Sequence, residues 1–195
     1  MAKREKKAEA PEEELTGTAA FKMDLYFWLQ ALVMALVSLI LIFTFVGRII
    51  RVDGPSMLPT LHNGDMLLLQ SIGYTPEQGD VVVLTKYFGH VQGPIVKRVI
   101  ATGGQMVDID YTAGTVSVDG KVLSEPYIRE PMREPGYQAG DISHVTAPEG
   151  HIFVMGDNRN NSDDSRDAAL GVVDERYVLG HVLMVLFPFD RFQIM

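Results

Sequence analysis

The chain has 195 residues, 47% of them hydrophobic and 22% charged, with a formal charge of −8 and a sequence pI near 5.0. Such a length suits one folded domain with something extra beside it; the composition excludes wholesale disorder, and the acidic balance excludes a broad basic surface for nucleic acid. Cysteine is absent, which excludes a disulfide scaffold, a thiol nucleophile and a thiolate metal site.

Residues 1–20 are rich in Lys, Glu, Ala and Thr and predict a solvated tail with no core of its own. From Leu25 to Gly47 the chain then runs for 23 residues without a charge. As a helix this run is roughly 35 Å long, enough for a hydrocarbon core of ~30 Å with some tilt. Tyr26 and Trp28 stand where interfacial aromatics are expected. A cleavable signal peptide is the rival reading, but the run is too long and ends Thr44-Phe45-Val46-Gly47-Arg48, with no small-residue cleavage site. The segment is read as an anchor. Lys3, Arg4, Lys6, Lys7 and Lys22 precede it, against Arg48 and Arg51 on the near C-terminal flank. That bias predicts a single-pass protein of the cell membrane with its N-terminus in the cytoplasm. The expected division is a cytoplasmic tail over 1–24, a transmembrane helix over 25–47 and an extracytoplasmic domain over 48–195.

The last 148 residues carry twelve basic and nineteen acidic groups, net −7. Short apolar runs between turn signals predict strands over Met66–Gln70, Val81–Thr85, Ile95–Ala101, Met106–Asp110, Thr115–Val118, Ile152–Met155 and Val182–Phe187. Asp119-Gly120 predicts a two-residue hairpin turn. Asp163–Leu170 is the best candidate for a short helix. Ser124–Gly150, with Pro126, Pro131, Pro135, Pro148, Gly136 and Gly140, predicts a long excursion, a lid or flap rather than a strand pair. The fold expected is therefore an all-β domain behind one N-terminal helix.

Chemistry-bearing residues concentrate in three segments. In Asp53-Gly54-Pro55-Ser56-Met57-Leu58-Pro59-Thr60-Leu61, Pro55 sets its own φ and Pro59 restricts Leu58, so Ser56 is presented on a stiff turn. Alone this is ordinary turn chemistry, and Leu58 rules out a nucleophile elbow. In Pro94–Ala101, strand alternation groups Lys97 with Ile95, Val99 and Ala101, so at least one of Lys97 and Arg98 points into protein. A desolvated lysine loses basicity and can act as a neutral amine, with Ile95, Val99 and the Arg98 cation expected to depress it; an edge strand with two solvated cations is the plainer reading. In Gly156-Asp157-Asn158-Arg159-Asn160-Asn161-Ser162-Asp163-Asp164-Ser165-Arg166, calcium-loop spacing fails, since the sixth position from Asp157 is Ser162 and the twelfth Ala168. The Asn160-Asn161-Ser162 sequon is set aside. A hydrogen-bonded scaffold of matched Asp and Arg is expected there. The five histidines show no metal-ligand spacing, and nothing beyond proximity to Ser56 marks His62 as a base.

GPSMLPTL (54–61), GDMLLLQ (64–70), GDVVVL (79–84), VKRVIA (96–101) and GDNRNNSDDSR (156–166) resemble, in that order, the sequence boxes of the bacterial type I signal peptidases, and one anchor with a small insertion around 103–150 resembles the Gram-positive pattern. The resemblance implies a membrane-anchored serine endopeptidase that removes signal peptides from secretory preproteins, cutting after small residues at the first and third positions before the bond. It implies Ser56 as nucleophile, Lys97 as general base, Ser162 as the group that hydrogen-bonds and orients the lysine, and Arg98, Asp157, Asp164 and Arg166 as supporting ion-pair partners. No cofactor, metal or nucleic acid is implied; the partners are preproteins, membrane lipid under a β domain lying on it, and the neighbouring export machinery. Some family members carry a serine two residues before the nucleophile to help hold the oxyanion; here that position is Gly54, Pro55 has no N–H, and only the Ser56 N–H is evident as a donor. Lys97 disfavours the endoplasmic-reticulum branch, which uses histidine. Met57 and Leu58 either contact substrate or lipid or simply pack. A self-cleaving peptidase of the repressor type is also β-rich, but lacks the span and the last box. A non-enzymatic anchored β domain would not need Ser56, Lys97 and Ser162 together.

Overall fold

A computed structural model describes residues 17–45, 47–89, 93–133 and 142–195. Most of the tail, with Lys3, Arg4, Lys6 and Lys7, and the middle of the proline-rich excursion, with Pro135, Gly136 and Gly140, lie outside the described residues. The chain divides near residue 42 into two units.

The first unit is a helix, α1, over Gly17–Phe45. Its stretch Phe21–Leu41 is long and apolar enough to cross a membrane. The helix starts before the uncharged run and stops short of its end, because Gly47 already belongs to the first strand.

The second unit is mostly β. Its strands in chain order are β1 (Gly47–Arg51), β2 (Met66–Gln70), β3 (Val81–Leu84), β4 (Ile95–Ala101), β5 (Met106–Asp110), β6 (Thr115–Val118), β7 (Lys121–Val122), β8 (His144–Thr146), β9 (His151–Met155), β10 (Val173–Asp174), β11 (Val178–Phe187) and β12 (Gln193–Ile194). Among the described residues these form an eight-stranded sheet, β1-β2-β11-β3-β4-β9-β10 with β12 beside β11, and a four-stranded sheet, β7-β6-β5-β8. The pairings are antiparallel.

The central strands are apolar on both faces because both faces are covered. Val81 and Val83 pack in one cluster with Met57, Leu61, Leu67, Leu69 and Val96, while their alternates Val82 and Leu84 pack with Val99, Ile152, Val154 and Leu170. A third cluster joins Ile100, Ala101, Phe153 and Met155 of the large sheet to Val107, Ile109, Val116 and Val118 of the small one. A bulge between Val99 and Ala101 opposite β9 lets Ile100 and Ala101, neighbours in sequence, enter that same cluster.

Each expected strand is present, β11 starting four residues earlier than expected and irregular in register against both neighbours. The Asp119-Gly120 turn has positive φ at both residues, 52° and 75°, as a hairpin twisted in the sheet's own sense requires. One expectation is corrected. Asp163–Leu170 forms turns, not a helix, because side chains capture its backbone and strand β9 pulls it in. The Asp164 carboxylate accepts from Gly156 N and Arg166 N, Ser165 N donates to Val154 O, and the Asp167 carboxylate accepts from Ala169 N. The excursion Ser124–Gly150 carries the short strand β8, which pairs outside it with β5 and completes the small sheet.

Candidate active site

The segment after β1 is folded back by backbone hydrogen bonds, Val52 N to Asp65 O (2.8 Å) and Gly64 N to Val52 O (2.9 Å). Gly54 takes φ = +96° and donates its N–H to Asn63 Oδ1 at 3.0 Å. A turn follows, closed by Leu58 N to Pro55 O (3.1 Å) and Leu61 N to Met57 O (2.9 Å). Met57 and Leu61 are buried in the first cluster and plug the turn into the domain, so Met57 packs; Leu58 is half-buried. Above that plug Ser56 stays half-exposed.

Lys97 comes from the middle of β4 and is only 3% exposed. Its Nζ donates to Ser56 Oγ at 2.9 Å and to Val96 O at 3.1 Å. Burial lowers its pKa to about 8; Asp164, Asp163 and Asp157 oppose the shift and Arg166 assists it. Arg98 is therefore not the cation that depresses Lys97. Its charge is already committed: Nε and Nη2 donate to the Asp157 carboxylate at 2.9 and 2.7 Å, Nη1 donates to Gly79 O at 2.7 Å, and the guanidinium lies 4.0 Å over the Tyr127 ring. Strand alternation thus sends the two adjacent cations to different partners, and both point into protein.

The last box wraps this pair. Asp157 also accepts from Thr60 Oγ1, tying the box to the serine turn. Burial would raise the Asp164 pKa, but the charge and hydrogen bonds of Arg166, with the Gly156 N–H, hold the carboxyl below the usual carboxylate range. Asp157 is thus paired with Arg98, and Asp164 with Arg166. Ser162 differs from expectation. It lines the same cavity as Lys97, but its hydroxyl is buried and has no hydrogen-bond partner among the described residues, while Lys97 Nζ is turned to Ser56 and Val96.

The cavity over Ser56 and Lys97 measures about 370 Å³, is open to solvent, and is walled by Asp53–Ser56, Gly93–Ile95, Lys97 and Asn161–Asp163. It is sized for a few residues of extended peptide. His62 is not on its wall. Among the described residues no cluster of three His, Cys, Asp or Glu is placed to hold a metal.

Several partners escaped sequence reasoning. The side-chain amide of Asn158 donates to Pro55 O at 3.0 Å and its backbone N–H donates to Ser56 O at 2.9 Å. Arg159, fully buried, meets Glu125 at 2.6 Å. Arg191 meets the buried Asp65 at 2.7 Å. With Arg129 N to Asp157 O (3.0 Å) and Tyr127 under Arg98, the Glu125 pair pins the start of the excursion to the site, so residues 124–133 are not a free flap.

A model of the family "Signal peptidase, peptidase S26" matches residues 25–187. The chain is 38% identical to signal peptidase I of Bacillus licheniformis over 87% of its length and 92% of the relative's. It is 39% identical to probable signal peptidase I-1 of Synechocystis sp., over 82% of this chain and 81% of that one. Signal peptidase I T of Bacillus subtilis is 35% identical over 89% and 92%.

Proposed function

The chain belongs to the signal peptidase family, peptidase S26, and on that footing we propose that Ser56 and Lys97 are the catalytic pair with which it cleaves signal peptides from exported preproteins. The observation that carries this is Lys97 Nζ at 2.9 Å from Ser56 Oγ, with the amine's pKa lowered by burial to about 8 at the floor of an open cavity. A free lysine, near 10.4, would be almost wholly charged at neutral pH; this one has an appreciable neutral fraction.

As Ser56 Oγ attacks the scissile carbonyl, its proton passes to Lys97 Nζ. The C–N bond of the tetrahedral intermediate breaks, and the ammonium returns that proton to the departing amine, leaving the signal peptide as an ester on Ser56. Water, deprotonated by Lys97, then hydrolyses the ester. The developing oxyanion is held by the Ser56 N–H, because Gly54 has no side chain and its N–H is bound to Asn63. Ser162, on the same wall, steadies the amine when Lys97 swings off Val96 O. Cleavage follows small residues at the first and third positions before the bond. His62 has no part.

Residues 48–195 face the extracytoplasmic side and the N-terminal tail the cytoplasm. The span keeps the site near the membrane-held end of the substrate, raising its effective concentration. The exposed Phe187, Phe189, Phe192 and Ile194 rest in the lipid interface, close to the export machinery.

Detergent-solubilised protein incubated with a labelled preprotein is the test. Ser56→Ala, Lys97→Ala and Lys97→Arg should each abolish cleavage while staying folded, and the double variant should be hardly worse than either single. An active Lys97→Arg enzyme would sink the proposed pair. Protease added outside intact cells should remove the β domain; protection of that domain would reverse the orientation.

A further inference from the structure

We infer that Asn158 is a positioning residue that sets the direction of the Ser56 N–H; this rests on the proposed role of Ser56. The two dihedrals of Ser56 are the rotations between the peptide planes on either side of it. Asn158 holds both planes. Its side-chain amide donates to Pro55 O, in the plane before Ser56, at 3.0 Å, and its backbone N–H donates to Ser56 O, in the plane after, at 2.9 Å. In a trans peptide the C=O and N–H vectors point opposite ways, so drawing Pro55 O toward Asn158 turns the Ser56 N–H away from it.

This matters more here than where a second oxyanion donor stands nearby. Gly54 brings no hydroxyl, its N–H is taken by Asn63, and Pro55 has none to give. Of residues 54–56, the donor left is the Ser56 backbone N–H, whose aim is only as good as the peptide plane that carries it. Leu58 N also donates to Pro55 O, at 3.1 Å, but it lies within the same turn and moves with it. Asn158 is anchored from outside. It is 2% exposed, its carbonyl accepts from Asn161 N at 2.9 Å, and Arg159 Nε ties the loop to Gly156 O at 2.9 Å. The pair spans 103 residues of sequence, so the clamp exists only in the fold.

Asn158→Ala deletes the side-chain bond and keeps the backbone one. With a peptide spanning a cleavage site, kcat should fall about 10- to 100-fold, part of what loss of a whole oxyanion donor costs, with KM within about twofold. The midpoint of the pH–rate profile should stay where wild type has it, since Lys97 is untouched. A peptide aldehyde, whose carbonyl carbon takes Ser56 Oγ and becomes a hemiacetal, should lose affinity in step with kcat. The corresponding peptide amide, which forms no bond, should bind as before. Should the alanine enzyme fail to fold, Asn158→Leu keeps nearly the same shape without the donor and gives the same readings. Unchanged kcat in a folded variant, a shifted pH midpoint, or equal weakening of aldehyde and amide would overturn the inference. A wild-type enzyme that cleaves nothing, or a cleaving Ser56→Ala, would instead remove the reading beneath it.

Discussion

Lys97 bears its buried charge at a cost. Its folded pKa of about 8 lies below the ordinary lysine value of 10.5, so between these values the unfolded chain holds a proton that the folded chain has released. Stability contributed by this group therefore rises with pH across that window, and below about 8 the penalty is fully present. Lys97→Met should accordingly be more stable than wild type at pH 7, by up to about 3 kcal/mol, and the gap should close as pH approaches 10.5. Thermal melts of both proteins from pH 6 to 11 check this; a gap constant with pH would mean that the amine is not desolvated. The same titration should make kcat/KM rise with pH through about 8, and His62→Ala should leave that limb in place. Gly156 is the other residue whose chemistry is decided by space. A Cβ there would stand 2.6 Å from the Ser56 carbonyl oxygen and inside the Ser162 side chain. Gly156→Ala should lower stability by about 1–3 kcal/mol and cost at least tenfold in kcat, because the loop must leave the serine turn to make room. A fully active alanine enzyme of unchanged Tm would refute that packing.

Between elements, the junction of β4, the serine turn and the last box depends on Asp157. Its carboxylate, wholly buried, takes two bonds from Arg98 and one from Thr60. Asp157→Asn keeps the shape but leaves the guanidinium of Arg98, a side chain 10% exposed, without its counter-charge. Loss of one partner of such a buried pair costs about 3–5 kcal/mol. Denaturant midpoints should show that loss, and the double variant with Arg98→Met should recover part of it. A midpoint equal to wild type would mean that Tyr127 and Gly79 O alone hold Arg98. The short helix expected over Asp163–Leu170 failed at this scale too. Its Asp and Ser side chains offer the backbone better partners than a helix can, and β9 supplies the acceptor for Ser165 N.

For the whole molecule, the apolar residues at the end of β11 and beyond form a feature of their own. Phe187 and Phe189 meet edge to face with centroids 5.5 Å apart, and Phe189 is 81% exposed. If lipid covers them, Phe189→Ser with Phe192→Ser should loosen the seat of the β domain on the bilayer while the span keeps the protein in the membrane. Cleavage of a membrane-inserted preprotein should slow, while hydrolysis of a short soluble peptide in detergent stays within about twofold. Equal loss on both substrates would place these residues in folding instead.

Local chemistry determined most of what the sequence alone conveyed. A 23-residue uncharged run has one economical conformation in an apolar medium, short β-branched runs between glycine turns have few, and positive φ at Asp119-Gly120 follows from turn geometry. The serine and lysine boxes were legible because their residues are contiguous. Tertiary structure alone decided which groups those residues meet. The Lys97–Ser56 bond closes 41 residues of chain, Asn158 reaches Pro55 across 103 and Arg191 reaches Asp65 across 126. It also decided that Lys97 Nζ turns to Ser56 and Val96 O and not to Ser162, and that Arg166, not Arg98, helps depress it. The physical reason is range: propensity and alternation act over a few residues, whereas burial and pairing of a charge depend on elements that meet only after the sheet has curled around them.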